Sequence, residues 1–212
     1  MSNMLHEIRK QYIFSSLDEN NVLPDPVEQF DLWLNEAIEC KESEPTAMVV
    51  STVDEYLQPH SRIVLLKEIT PEGFVFYTNY EGQKARQIAV NNRVCLLFFW
   101  PRMERQVRIE GNVDKISEAI STAYFLTRPL ASRIGAWASP QSQVIRSKDF
   151  LDEQFKYYQQ KFGETVPKPP FWGGFIVRPV SIEFWQGRPN RLHDRLLYTI
   201  GSGKWKISRL AP

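Results

Sequence analysis

Near its C-terminal end the chain reads Trp185-Gln186-Gly187-Arg188-Pro189-Asn190-Arg191-Leu192-His193-Asp194-Arg195, three cations and a histidine behind a tryptophan and a turn. If residues 191–195 are extended, the two-residue period puts Arg191, His193 and Arg195 on one face and Leu192 and Asp194 on the other. Such a face suits an anionic, planar ligand: arginine offers a flat fork of donors, and histidine exchanges a proton near neutral pH. The alternative is a solvated edge strand protected by charge.

Three further clusters could hold an anion. Arg62-Ile63-Val64-Leu65-Leu66-Lys67 is an apolar run with a cation at each end. The two cations have opposite parity, so an ideal strand aims them at opposite faces unless it bulges; otherwise they are surface cations flanking a core strand. Gln83-Lys84 follows Gly82 at an expected helix start, where free N–H groups and a lysine would suit phosphate. Tyr124 and Arg128 share a helix face, with Ser132 just beyond Pro129, and guanidinium, phenol and hydroxyl together would satisfy a phosphate dianion. The plain reading of that last pair is a C-terminal helix cation and a core aromatic.

These residues need a scaffold. The 212 residues suffice for one domain with a full core. With a net charge of +1, no general electrostatic attraction to nucleic acid or an anionic membrane is expected. The longest apolar run, 94–100, is too short to span a bilayer, and Glu7, Arg9 and Lys10 occupy the place of a signal peptide's apolar stretch, so a cytoplasmic protein is expected. Cys40 and Cys95 are isolated from each other and from metal-ligand spacings, which favours buried free thiols over a disulfide or zinc site. Asp25-Pro26-Val27-Glu28 starts a helix in the manner of a capping box, and Phe30, Trp33, Leu34, Ala37 and Ile38 give it an apolar stripe. Strands are expected at 47–53, 61–69, 74–78, 94–100, 105–116, 175–180, 182–186, 191–200 and 204–209, with a turn at Thr70-Pro71-Glu72-Gly73. Helices are expected at 83–91, 117–127 and 148–162. Strands bracket the helices, so pairing of late with early strands predicts a barrel or curled, mainly antiparallel sheet with peripheral helices.

The motifs together resemble the pyridoxamine 5'-phosphate oxidase family: Arg62 to Lys67, Phe76-Tyr77-Thr78-Asn79, Glu104-Arg105-Gln106-Val107, Tyr124-Phe125 with Arg128-Pro129, Ile134-Gly135-Ala136-Trp137, Gln141-Ser142, Phe171-Trp172-Gly173-Gly174, the block from Trp185 to Arg195, and Arg209-Leu210-Ala211-Pro212, read as an intact C-terminus. The resemblance implies an α+β, mainly antiparallel FMN-binding split β-barrel over 25–212, a leader or lid over 1–24, and a homodimer with FMN at its interface. It places the FMN contacts on Arg62, Ile63, Val64, Leu65, Leu66, Lys67, Tyr77, Thr78, Gln83, Lys84 and Gln106, completed by Gln141, Ser142, Trp185 and Arg195, with Gln141 and Ser142 reaching the neighbouring subunit's flavin. The substrate phosphate falls to Lys67, Tyr124, Arg128 and Ser132, the reacting end to Arg191, Leu192 and His193, and the closing segment to Arg9, Lys10, Gln11 and Tyr12. Gln83 departs from the pattern, standing where many members carry arginine.

The implied activity is oxidation of pyridoxamine or pyridoxine 5'-phosphate by O2 to pyridoxal 5'-phosphate, with release of hydrogen peroxide and, from the amine, ammonia. The cofactor carries the redox chemistry, and the protein positions the donor carbon. Two rivals are a related split-barrel flavin oxidoreductase with another substrate and a non-catalytic pyridoxal-phosphate or flavin carrier. The first of these rivals has no reason to keep Tyr124, Arg128, Ser132, Arg191 and His193 together, while the carrier stays open on sequence alone.

Overall fold

A computed structural model describes residues 10–212. Five helices and nine strands are defined: α1 (Pro26–Glu39), β1 (Ala47–Val53), β2 (Pro59–Leu65), β3 (Glu68–Thr70), β4 (Gly73–Asn79), α2 (Gln83–Val90), β5 (Arg93–Trp100), β6 (Arg105–Lys115), α3 (Glu118–Thr127), α4 (Leu130–Ala138), α5 (Lys148–Phe162), β7 (Trp172–Gln186), β8 (Asp194–Gly201) and β9 (Lys204–Arg209). The strands hydrogen-bond in the order β2-β1-β5-β6-β7-β4-β3, with β8 joined to β7 and β9 to β8. Late strand β7 therefore pairs with an early one, β4, as the need to satisfy strand edges predicts.

Residue contacts divide the chain into two compact units. One holds the described residues up to Val49, Cys95–Gly111 and Pro179–Pro212; the other holds Val50–Val94 and Asn112–Arg178. In the first, Asp25 caps α1 by accepting the Val27 N–H (2.7 Å), and Pro26 takes a position whose N–H needs no partner. Phe30, Trp33, Leu34 and Ala37 are buried, whereas Ile38 is exposed and leaves the expected stripe. Cys40, expected to be buried, is exposed at the end of the same helix. Phe30 packs on Phe98 (4.8 Å between rings) and Trp33 on Phe184 (5.1 Å). In the second unit, Phe125, Ile134, Val166 and Trp172 form a core against which α5 lays Phe155, Tyr158 and Phe162.

Four further expectations change. The strand expected over 61–69 is broken: β2 stops at Leu65 and Lys67 donates its N–H to Val75 (2.9 Å). At the end of the strand order, β2 exposes Ile63 (70%) and Leu65 (40%), so its apolar run is not a core strand. The two late strands expected at 175–180 and 182–186 are one, β7. It pairs with β4 through Val177 and with β8 from Ser181, so Pro179, which has no N–H, falls at the handover between partners. Helix α4 was not expected. Its Leu130, Ile134 and Trp137 carry the helical spacing, but Pro129, Ser132 and Gly135 read as a loop. Lastly, residues 191–193 are not strand, as described below.

Candidate active site

The second unit assembles a cationic cluster at the start of α2. Gly82 is the helix cap and supplies no side chain; a Cβ there would lie 2.4 Å from Gln141 Oε1, so a larger residue would push that amide from its place. Lys84 is buried and donates from Nζ to Gln141 Oε1 (2.8 Å) and Thr78 Oγ1 (3.1 Å). Gln141, which the resemblance assigns to the neighbouring subunit's flavin, places its amide oxygen on Lys84 of its own chain. One turn along α2, buried Gln87 accepts from Arg62 Nη2 (3.0 Å) and from Thr52 (2.6 Å), and Arg62 Nη1 also donates to Thr52 (2.6 Å). Burial, and then the charge of Arg62, lowers the Lys84 pKa; burial also lowers that of Arg62. Among the described residues neither cation has a carboxylate partner. Two like charges at least partly desolvated and left without a carboxylate could accept an external anion. Gln83 and Ser142 line a neighbouring open cavity of about 440 Å³ with Arg86 and Gln87.

In the same unit Arg128 and Ser132 line a second cavity, of about 320 Å³, together with Asn79, Gln141 and Trp172. The Arg128 guanidinium lies over the Trp172 ring (4.8 Å) and near Phe125 (5.5 Å). Its Nη1 is buried without a hydrogen-bond partner among the described residues, a state that costs free energy unless a ligand fills it. Tyr77 stacks on Tyr124 (3.9 Å) and lies parallel to Trp172 (5.4 Å), and burial, with Glu68 and its neighbouring phenols, pushes its pKa up to about 12. Lys67 is exposed and is not among the residues lining this cavity. Thr52, Asn79, Gln87 and Trp172 were missed in the sequence because an amide, a hydroxyl or a core aromatic carries no signal until its partners are known.

In the first unit, Trp185 packs on His193 (4.7 Å between rings), and Tyr12 lies edge-on to both His193 (5.6 Å) and Trp185 (5.7 Å). The expected strand face of Arg191, His193 and Arg195 does not form. Pro189–Arg191 is a 3-10 turn in which Asn190 (φ 58°) and Arg191 (φ 62°) are left-handed, which reverses the chain so that β8 begins only at Asp194. Pro189 has no N–H for a ladder, and the turn exposes Arg191 and Leu192. His193 is held by its ring: Nδ1 accepts the Arg188 N–H (3.1 Å), and burial followed by the charge of Arg191 lowers its pKa. Arg195 lies opposite Trp185 in the β7–β8 ladder and donates to Glu183 (2.7 Å) and to the Ala211 carbonyl (2.8 Å). Buried Glu183, also unforeseen, is shared with Arg108 (2.7 Å). Gln106 is half-buried on β6. Lys10, Gln11 and Tyr12 are described; Arg9 lies outside the described residues. No His, Cys, Asp or Glu group among the described residues is arranged for a metal, and no helix among them is long and apolar enough to cross a membrane.

Comparison with known proteins gives this constellation its context. Residues 34–162 match the family model described as pyridoxamine 5'-phosphate oxidase. The chain belongs to the pyridoxamine 5'-phosphate oxidase family. Residues 172–212 match the pyridoxine 5'-phosphate oxidase C-terminal dimerisation region. A pyridoxine/pyridoxamine 5'-phosphate oxidase of Cupriavidus taiwanensis is 51% identical over 209 residues, covering 98% of this chain and 99% of that protein. One from Burkholderia mallei is 52% identical over 211 residues, with the same coverage of each. Among solved structures, PhzG from Burkholderia lata 383, in complex with tetrahydrophenazine-1-carboxylic acid, superposes with a TM-score of 0.89 at 24% identity over 93% of this chain and 98% of that one. A pyridoxamine 5'-phosphate oxidase-related, FMN binding protein from Nostoc punctiforme gives 0.71 at 16% identity over 89% of this chain and 98% of that one. The fold is thus the family's split barrel, mainly antiparallel with added helices, and the family assignment makes the chain an oxidoreductase.

Proposed function

We propose that this chain is an FMN-dependent oxidase that converts pyridoxamine 5'-phosphate, and pyridoxine 5'-phosphate, to pyridoxal 5'-phosphate with O2, releasing hydrogen peroxide and, from the amine, ammonia. The observation that carries the reading is identity of 51% or more, over nearly the whole of both chains, to relatives bearing that name. The match to a dimerisation region supports a homodimer, and the cytoplasm is the proposed location.

The residues present fit FMN: Arg62 and Lys84, desolvated and without carboxylates, offer charge to a phosphate, beside Thr78 and Gln141. When bound, FMN supplies the two-electron acceptor and its reoxidation by O2. Arg62, Ile63, Val64, Leu65, Leu66, Lys67, Tyr77, Thr78, Gln83, Lys84, Gln106, Gln141, Ser142, Trp185 and Arg195 remain the proposed cofactor set.

The unpaired Nη1 of Arg128, with Ser132, Tyr124 and Lys67, is the proposed holder of the substrate phosphate. At the reacting end, the Arg188 N–H occupies Nδ1 of neutral His193, leaving the ring proton on Nε2 as a donor for an oxygen on the substrate ring. Arg191, without an ion-pair partner among the described residues, adds a positive charge there, and Leu192 with Lys10, Gln11 and Tyr12 flanks the ligand. Tyr12 and Trp185 pack against the His193 ring. The carbon bearing the amine loses a hydride equivalent, the amine a proton, and water hydrolyses the resulting imine to aldehyde and ammonia. Incubation of the purified protein with pyridoxamine 5'-phosphate, following peroxide and pyridoxal 5'-phosphate together, tests the reading. Flavin-loaded protein that forms neither product refutes it.

A further inference from the structure

In the first unit the segment from Lys10 to Leu17 is held chiefly by two carboxylates. The N–H groups of Ile13 (2.7 Å) and Phe14 (2.9 Å) both donate to Glu104 Oε2, and Lys10 Nζ bridges Oε1 (3.0 Å). Leu17 N–H donates to Asp194 Oδ2 (3.0 Å). Glu104 has an uncommon setting for a carboxylate. Its side chain is only 4% exposed, its backbone is left-handed (φ 55°), and its carbonyl accepts from Gly187 N–H (2.7 Å) and Gln186 Nε2 (3.3 Å).

One residue therefore ties the N-terminal segment, through its side chain, to the turn that leads into Arg191 and His193, through its carbonyl. Between these anchors Tyr12 sits edge-on to His193 and Trp185. The fit is close: a Cβ on Gly187 would lie 2.7 Å from Tyr12 Cγ. A buried carboxylate is tolerated where amide donors and a cation satisfy it. Burial raises the Glu104 pKa, but the Phe14 amide, Lys10 and the Ile13 amide outweigh it and leave the group below its ordinary value, so it is the ionised form that holds the segment.

We propose that Glu104 is a positioning residue for the reacting end: by clamping the Ile13 and Phe14 amides it seats Tyr12 against His193 and Trp185, closing one side of the site. The inference rests on the reading that His193 works at that end. Its role goes beyond the electrostatics of its own charge, because it acts through Tyr12.

The test uses the FMN-loaded protein with Glu104→Gln, Tyr12→Ala and the double variant. Glutamine keeps the shape but removes the charge that both amides share. Hydrogen exchange of the Ile13 and Phe14 amides should accelerate at least about tenfold in Glu104→Gln, a readout that needs no turnover and stands even if the oxidase reading fails. Each single variant should lose about ten- to a hundredfold in kcat/KM for pyridoxamine 5'-phosphate, with flavin content unchanged. The double variant should be no worse than Tyr12→Ala alone. Unchanged exchange, or losses that simply multiply, overturns the proposal. Should Glu104→Gln fail to fold, Gly187→Ala displaces Tyr12 without touching the carboxylate and should give the same loss of kcat/KM with flavin retained. Wild-type kcat/KM in that variant also overturns it.

Discussion

Arg128→Ala separates a binding residue from a structural one, because its guanidinium is poorly served in the free protein. Nη1 is buried with no partner among the described residues. Its aromatic neighbours are Trp172 and Phe125, at 4.8 and 5.5 Å. Removing an unsatisfied buried donor relieves about 1–3 kcal/mol, while losing the cation–π contacts costs about 0.5–2 kcal/mol. The two offset each other to within about 2.5 kcal/mol, which in a chain of this size moves Tm by no more than about 10 °C. A charge-assisted bond to a substrate phosphate, by contrast, contributes about 1.5–3 kcal/mol, or about ten- to a hundredfold in affinity. If the phosphate is held equally in ground and transition states, the loss falls on KM with kcat little changed. Steady-state kinetics on pyridoxamine 5'-phosphate, paired with a thermal melt, reads both quantities, and unphosphorylated pyridoxamine should be a poor substrate for the wild type. A large drop in Tm with unchanged KM would make Arg128 a packing residue and refute the reasoning.

Lys84→Met should lower FMN affinity by about ten- to a hundredfold while leaving Tm unchanged or higher, since it removes a desolvated cation beside Arg62; tight flavin binding in a fluorescence titration of this variant counts against the cluster. Denatured wild type should release FMN, and chromatography showing stoichiometric FAD rejects the cofactor. Arg195→Ala should weaken flavin retention and cost about 1–3 kcal/mol of stability, because buried Glu183 keeps only Arg108 as an ion-pair partner among the described residues. An unchanged melting curve argues against the stability half of that statement. His193 is a base whose folded pKa lies below its ordinary 6.5, so between those two values the unfolded chain binds more protons. Its contribution to stability is therefore present above about 6.5 and lost as pH falls through the folded pKa. The acid limb of kcat/KM should likewise fall below 6.5, and a limb centred above that value would exclude neutral His193 as the group responsible.

The sequence alone was enough for what depends on local period and chemistry. The stripe of Phe30, Trp33 and Leu34 behind an Asp25 cap specifies α1, because a helix start needs an acceptor and a helix face needs a core. The β-branched run of 47–53 specifies β1, and Thr70 to Gly73 the turn between β3 and β4. The order of motifs likewise pointed to the family. The arrangement of 191–195 was not legible, because an extended and a reversed backbone are both open to Pro189-Asn190-Arg191, and only the β7–β8 ladder, with Trp185 opposite Arg195, selects the reversed one. Nor could the sequence show that Gln141 meets Lys84 across 57 positions, that Arg128 keeps a donor unpaired, or that Glu104 holds Ile13 across 91. Those facts concern burial and partners distant in the chain. Whether a polar group is satisfied is a property of the packed structure, since each partner is supplied by an element whose position no local preference determines.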